Sequence, residues 1–273
     1  MKHLLSRSIA AVFAGALLST TALVQTACAA PQDSAAMTMK TTDSTNAIFN
    51  DFLKKYVTLE DGITLVRYGD VTDADEAALE GYIDTLSKSG PPSGTDQDIM
   101  AYWFNLYNAE TINVILDNYP VKSIREIGGS FISKGPWNEK TLTVAGKAMS
   151  LNNIEHDTVR AQYDEPRIHY AFNCASIGCP NLKLTAWDAE TLDEDLSAAA
   201  ADFISSARGI NVDDKGRIVA SSIFNWYKGD FGGNDASLLA HLAKYATGDK
   251  KAALISASKI RKYDYDWNLN VKR

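Results

Sequence analysis

The sequence predicts an α+β fold, a single domain in which helices flank a central, mostly antiparallel sheet. Three patterns carry this expectation. Apolar residues recur at helical spacing over much of 46–118 and again after 188, short alternating runs bounded by turn residues occupy 142–149 and 210–223, and Ile168, Tyr170 and Phe172 alternate with His169, Ala171 and Asn173. The last run has its bulky residues on one side, which reads as a strand at the middle of the sheet.

The N-terminus is set apart from that domain. Lys2 and Arg7 precede and open an apolar run from Ile9 to Val24, and Ala27-Cys28-Ala29 has the Ala-x-Ala form of a cleavage site, so residues 1–29 read as a secretory signal peptide cut after Ala29. A lipoprotein reading with Cys28 lipidated is weaker, because Gln25 stands where such signals carry Leu. The expected location is secreted, periplasmic or extracellular. No later run approaches the roughly 20 apolar residues of a membrane span. Residues 30–45, APQDSAAMTMKTTDST, have no apolar period and read as a disordered leader, which leaves 46–273 as the domain. Loss of Lys2 and Arg7 moves the formal charge from −7 to −9. An acidic chain of this kind argues against nucleic acid or an anionic membrane as partner, since both reward clustered Lys and Arg. Three cysteines cannot build a disulfide framework, so stability must come from burial.

Within the domain, Ile48, Phe49, Phe52, Leu53 and Tyr56 make one face of a helix, and Ile63 to Tyr68 a short strand. Thr72 with Asp75 resembles a capping box, opening a helix to about Ser87 that Gly90-Pro91-Pro92 ends. The longest helix is expected over 96–118, stopped at Tyr119-Pro120. It is apolar around most of its circumference, so it should run through the interior. Tyr102, Asn105 and Asn108 form a polar stripe on it, and a buried amide without partners costs roughly 1–3 kcal/mol, so these side chains either hold neighbouring backbone or contact a ligand. Leu142 to Met149 reads as a hairpin turning at Ala145-Gly146, and Ser150 opens a helix to about Gln162 that carries Glu155 and His156. Adjacent helical residues point about 100° apart, so at most one of that pair faces the core. Helices are expected over 188–208, 236–246 and 249–258, two strands over 210–223 joined at Asp213–Gly216, and a C-terminal strand in which Tyr263, Tyr265 and Trp267 alternate with Asp264, Asp266 and Asn268.

The chemistry concentrates in IHYAFNCASIGCP, residues 168–180, which hold His169, Cys174 and Cys179. In an oxidising compartment the two cysteines suit a disulfide, worth about 2 kcal/mol for so short a loop. Alternatively Cys174 is a thiolate nucleophile served by His169 or His156, with an Asn as orienting group, acting on an amide, ester or thioester. Strand parity weakens the His169 pairing, because residues five apart on a regular strand face opposite ways; a break near Asn173 would restore it. A zinc site from Glu155, His156, His169 and the cysteines is a third option at loose ligand spacing, and no P-loop, GxGxxG or HExxH occurs. No cofactor is implied.

The blocks YWFNLYNAETI, LNNIEH, RIHYAFNCASIGCP, FNWYKGDF and YDYDWNLN, in that order, resemble the domain of unknown function 547 family. The resemblance implies a domain widespread among secreted bacterial proteins with no settled role, and it concentrates on Asn105, Asn108, Glu155, His156, His169, Cys174, Cys179 and Asp266-Trp267. Gly178 departs from it, standing where the family commonly carries Ser or another polar residue. Two functions follow from the residues so gathered. One is thiol-dependent acyl transfer or hydrolysis by Cys174 with His169, His156, Glu155, Asn105 and Asn108. The other is a non-catalytic module, closed by a Cys174–Cys179 bridge, in which Tyr102, Trp226, Asp266 and Trp267 help line a groove for a small molecule, peptide or glycan. The oligomeric state is left open.

Overall fold

The computed structural model describes residues 33–128 and 134–272, with side chains from Thr45 onward, so the signal-peptide reading of 1–29 lies outside the described residues. The fold is α+β. Helix α1 (Asp33–Tyr56) begins within the stretch read as a leader and buries Phe49, Phe52, Leu53 and Tyr56. Strands β1 (Val57–Glu60) and β2 (Ile63–Val66) follow as a hairpin. Helix α2 (Asp73–Ser89) starts at Thr72, whose hydroxyl accepts from Asp75 N, as the sequence predicts. Helix α3 (Asp96–Leu116) carries a full capping box between Thr95 and Asp98 and is buried almost all round from Met100 to Ile115. The hairpin β3 (Leu142–Val144) and β4 (Lys147–Met149) turns at Ala145 and Gly146, with φ of 48° and 82°, the left-handed pair that a two-residue hairpin turn requires.

A π-helical segment, Asn153–Val159, runs into α4 (Arg160–Gln162). After a long irregular stretch come α5 (Leu192–Ser205), β5 (Ile210–Val212), β6 (Ile218–Ser221), α6 (Ile223–Trp226), α7 (Asp235–Tyr245), α8 (Gly248–Ser256) and β7 (Lys262–Asp264). The tail alternates as expected, Tyr263, Tyr265 and Trp267 being half-buried and Asp264, Asp266 and Asn268 exposed. Beyond β7, which pairs parallel with β6, it straps across the domain: Asn270 O accepts from Val66 N, and Asn268 O from Ile177 N, both at 2.8 Å.

Among the described residues the expected central sheet is not present. Strands of three or four residues form sheets of two, two and three strands, and α3 occupies the centre instead. The strand expected at 168–174 is a turn of 3-10 helix, Pro166–Tyr170, followed by loop. Pro166 supplies a helical φ at the first position, Glu165 accepts from Arg167 N, and Ala171 N bonds back to Ile168 O at 2.9 Å. The next donors are taken by side chains, Asn173 N by Asn108 Oδ1 and Ala175 N by Asn173 Oδ1, both at 2.9 Å. The alternation seen in the sequence reports two neighbouring cores rather than two faces of a sheet. Ile168 and Phe172 pack into the cluster around α1, α2 and α3, whereas Tyr170 packs with Phe203 and Phe224 in the cluster around α5 and α7.

Glu110 on α3 is 3 % exposed, and its burial pushes its carboxyl up to about 7, with Asp117 adding repulsion against a hydrogen bond from Thr141. The folded chain thus keeps a proton that the unfolded chain releases, and stability falls as pH rises from about 4 to about 7. Glu110→Gln should therefore raise stability at about pH 8, by on the order of 3 kcal/mol, with the gain vanishing near pH 4; guanidinium unfolding at both values measures it.

Candidate functional site

A pocket enclosing about 700 Å³, part of it open to solvent, lies where α3, the π-helical segment, the 166–180 stretch, α6 and the tail converge. The π-helix widens one turn of the chain, and Glu155 is buried from it into this pocket while His156, its neighbour, is turned to the rim. The Tyr107 hydroxyl, from α3, and the Tyr227 hydroxyl both lie against the Glu155 carboxylate. Burial raises both phenols far above their ordinary value, so they remain protonated donors.

His169 lines the pocket between two carboxylates. Its Nε2 is 2.7 Å from Asp230 Oδ2, and because a carboxylate only accepts, Nε2 carries the proton. Its Nδ1 is 3.9 Å from Glu155 Oε1, too far for a hydrogen bond. Its ring stacks on Tyr227 at 4.0 Å between centroids. Arg160 completes the group, donating to Asp230 Oδ2 at 2.7 Å from Nε and to Oδ1 at 2.8 Å from Nη2. The His169 hydrogen bond first, and Arg160 second, hold the Asp230 carboxyl well below the usual carboxylate range. A guanidinium can only donate, so His156 Nδ1, 3.0 Å from Arg160 Nη1, is an acceptor in this arrangement.

Cys174 and Cys179 are joined as a disulfide, with Cα atoms 6.3 Å apart, and both line the pocket. Cys174 is partly exposed and Cys179 buried. The loop between them is fixed on several sides. Cys174 N donates to Cys179 Sγ at 3.0 Å, the Tyr265 hydroxyl lies 3.0 and 3.1 Å from the two sulfurs and 2.8 Å from Ser176 Oγ, and Asn173 Nδ2 donates to Pro180 O at 2.9 Å. Gly178 has a steric reason: a Cβ there would meet Asp266 N at 2.8 Å and Asp266 O at 2.9 Å, because Gly178 N donates to that carbonyl. The tail strap thus needs glycine at this position.

Aromatic rings form the remaining wall. Trp226 lies 5.5 Å from Trp267 and 4.8 Å from Tyr265, and Trp137 lies 5.7 Å from Trp267, centroid to centroid. Trp226 is nearly half exposed, an unusual setting for so large an apolar side chain.

Of the site residues expected from sequence, Glu155, His169, Cys174, Cys179, Trp226 and Trp267 meet in this pocket. The parity argument against His169 and Cys174 sharing a site lapses with the strand on which it rested. Asn105 and Asn108 do not line the pocket; they hold backbone, Asn105 exchanging bonds with Trp187 at 2.9 and 2.7 Å and Asn108 bonding Ala171 O and Asn173 N at 2.9 Å. Tyr102 donates to Leu86 O on the far side of α3, and exposed Asp266 turns its carboxylate to Asn268. His156 stands beside the site. Sequence reasoning passed over Tyr107, Trp137, Tyr227 and the role of Asp230 and Arg160. The block FNWYKGDF holds Trp226, Tyr227 and Asp230 together and was the available signal. Among the described residues no group of three or more His, Cys, Asp or Glu is placed to hold a metal ion, and no described helix is long and apolar enough to cross a membrane.

This is an α+β domain with a disulfide-floored aromatic pocket. Residues 92–204 match the family described as "Protein of unknown function, DUF547". The match takes in the blocks around Asn105, Glu155 and Cys174, while FNWYKGDF and YDYDWNLN lie beyond it. No curated protein and no solved structure matches the chain.

Two outcomes follow from this geometry. Alkylation of denatured, unreduced protein should leave Cys174 and Cys179 unlabelled, and reduction should lower stability by about 2 kcal/mol in denaturant titrations. Asp230→Asn should destabilise the protein at neutral pH. Because the Asp230 pKa is depressed on folding, its contribution is complete above the unfolded value of about 4 and is lost as pH falls below it, so wild type and variant should converge in acid.

Proposed function

We propose that the pocket is a ligand-binding site and that the disulfide form of the protein is a non-catalytic binding module, taking a small molecule or one group of a peptide or glycan. The observation that carries this reading is the Cys174–Cys179 bond: the two cysteines that line the pocket are tied to each other, and a disulfide sulfur offers no thiolate to attack a carbonyl. A disulfide-closed loop beneath an aromatic wall, with Glu155, His169 and Asn152 among its liners, has the make-up of a ligand cleft. The location proposed with it is outside the cytoplasm, after removal of residues 1–29, where such a bridge persists.

A second reading rests on one further observation, that His169, oriented by Asp230, shares the pocket with partly exposed Cys174. Reduction by a dithiol would free Cys174 as a thiol that gives its proton to the imidazole and attacks the carbonyl carbon of an amide, ester or thioester; the leaving group departs with that proton, and water then releases the acyl group from Cys174. The two readings part in one experiment. Hydrolysis of a p-nitrophenyl ester is followed with and without dithiothreitol, in wild type and Cys174→Ser. The binding module predicts no hydrolysis above buffer in either condition. Hydrolysis that appears only with dithiothreitol and is lost in Cys174→Ser would replace it with acyl transfer.

A further inference from the structure

We infer that the group this pocket takes is an organic ammonium, methylated or otherwise alkylated, with its carbons against the aromatic wall and its charge facing Glu155. This deepens the binding reading above and rests on it. The first argument is the carboxylate. Glu155 is 8 % exposed in its side chain, accepts only, and has about four lone-pair positions. The Tyr107 and Tyr227 hydroxyls lie near it, and His169 Nδ1 at 3.9 Å is beyond hydrogen-bond range, so the carboxylate keeps acceptor capacity. A nearly buried acceptor with unused capacity, aimed into a pocket, favours a cation or a donor there.

The second argument is the wall. Trp137, Trp226, Trp267, Tyr227 and Tyr265 present ring faces and edges around the same space as Glu155. Ring faces carry negative potential and attract cations within about 6 Å, more strongly when water is excluded. Two rings of the set already do so: the Arg125 guanidinium lies 4.9 Å from the Trp267 centroid and that of Arg160 4.8 Å from Tyr227. Trp226, nearly half exposed, has no such partner among the described residues. An anionic ligand would face both Glu155 and these rings, whereas an alkylated ammonium meets the carboxylate with its charge and the rings with its carbons. Of the surrounding cations, Arg160 is spent on Asp230 with two hydrogen bonds and Arg125 lies over Trp267, so the ring faces left for the ammonium include that of Trp226.

The test titrates the oxidised full-length protein with choline chloride and, separately, with the neutral isostere of choline in which carbon replaces nitrogen, reading tryptophan fluorescence and thermal shift. Choline should bind saturably and about tenfold more tightly than the isostere. Glu155→Gln should bring that ratio towards one, and Trp226→Ala, a change at a half-exposed position, should weaken choline severalfold without lowering the melting temperature. A peptide carrying trimethyl-lysine, run beside choline, assigns the ammonium to a peptide if it binds more tightly and to a free small molecule if it binds less tightly. Equal binding of choline and the isostere overturns the inference while leaving a ligand pocket in place. No binding of either ammonium probe at tens of millimolar also overturns it, and the ester assay above then judges the binding module separately. Should Glu155→Gln not fold, the choline-to-isostere ratio in wild type and the Trp226→Ala titration decide the question.

Discussion

Asn105 and Asn108 each exchange a donor and an acceptor with backbone far away in sequence, Trp187 in one case and Ala171 with Asn173 in the other. A carboxamide is the right group for this, because its oxygen and nitrogen match a peptide N–H and C=O as a neighbouring strand would. Segments 171–180 and 181–191 run through or beside the core without regular structure, and their polar groups must be satisfied there. In most α+β folds a sheet does this. Here two side chains on one buried helix take part of that duty, and it follows that no large sheet is needed at the centre. Removing either amide would leave both a carbonyl and an N–H without a partner in the interior, at roughly 1–3 kcal/mol for each group.

The same helix sets the pocket. Tyr107 lies between the two asparagines, so holding the backbone at Trp187 and Ala171 also fixes where the Tyr107 ring meets Phe172, at 4.6 Å, and where its hydroxyl meets Glu155. Asn173 passes the constraint on, taking Asn108 on its N–H and giving its own amide to Pro180 O and Ala175 N, which encloses the disulfide loop from one side. The tail encloses it from the other through Ile177, Gly178 and the Tyr265 hydroxyl. The site is thus built on loops whose backbone is bonded at nearly every step, the condition under which a loop can hold side chains in fixed positions.

Local signals were legible in the sequence and long-range ones were not. The helices from Phe49, Thr72 and Asp96, the Ala145-Gly146 hairpin and the alternation of Tyr263, Tyr265 and Trp267 each follow from periodicity or capping chemistry within about twenty residues. The misreading at 168–174 has a definite cause. Ile168 and Phe172 serve one core and Tyr170 another, so burial alternates in a segment whose backbone is a helical turn, and a period of two alone does not separate that from a strand. Pro166 was the residue that argued for the turn. Within the site, the cysteines, His169 and Glu155 were visible as reactive types, but the use of Asp230 and Tyr227 depends on α6 folding back over the imidazole, which no spacing encodes. Asn105 and Asn108 were legible as buried amides; only their distant partners decided between holding backbone and holding a ligand.

The electrostatics of the site turn on how one imidazole is shared. Asp230 is the better partner, because it is bonded at 2.7 Å and also held by Arg160, so its charge is compensated twice. That leaves His169 pinned at Nε2 and stacked on Tyr227, with Nδ1 turned towards Glu155 but out of bonding range. Arg160 neutralises Asp230, and the hydroxyls of Tyr107 and Tyr227 lie beside Glu155. The result is asymmetric. The Asp230 side of the imidazole is a closed ion-pair network that orients the ring, whereas the Glu155 side keeps unfilled acceptor capacity and opens on the aromatic wall. Whatever enters the pocket meets the second side, and its charge and donors, more than its shape, decide how well it is held.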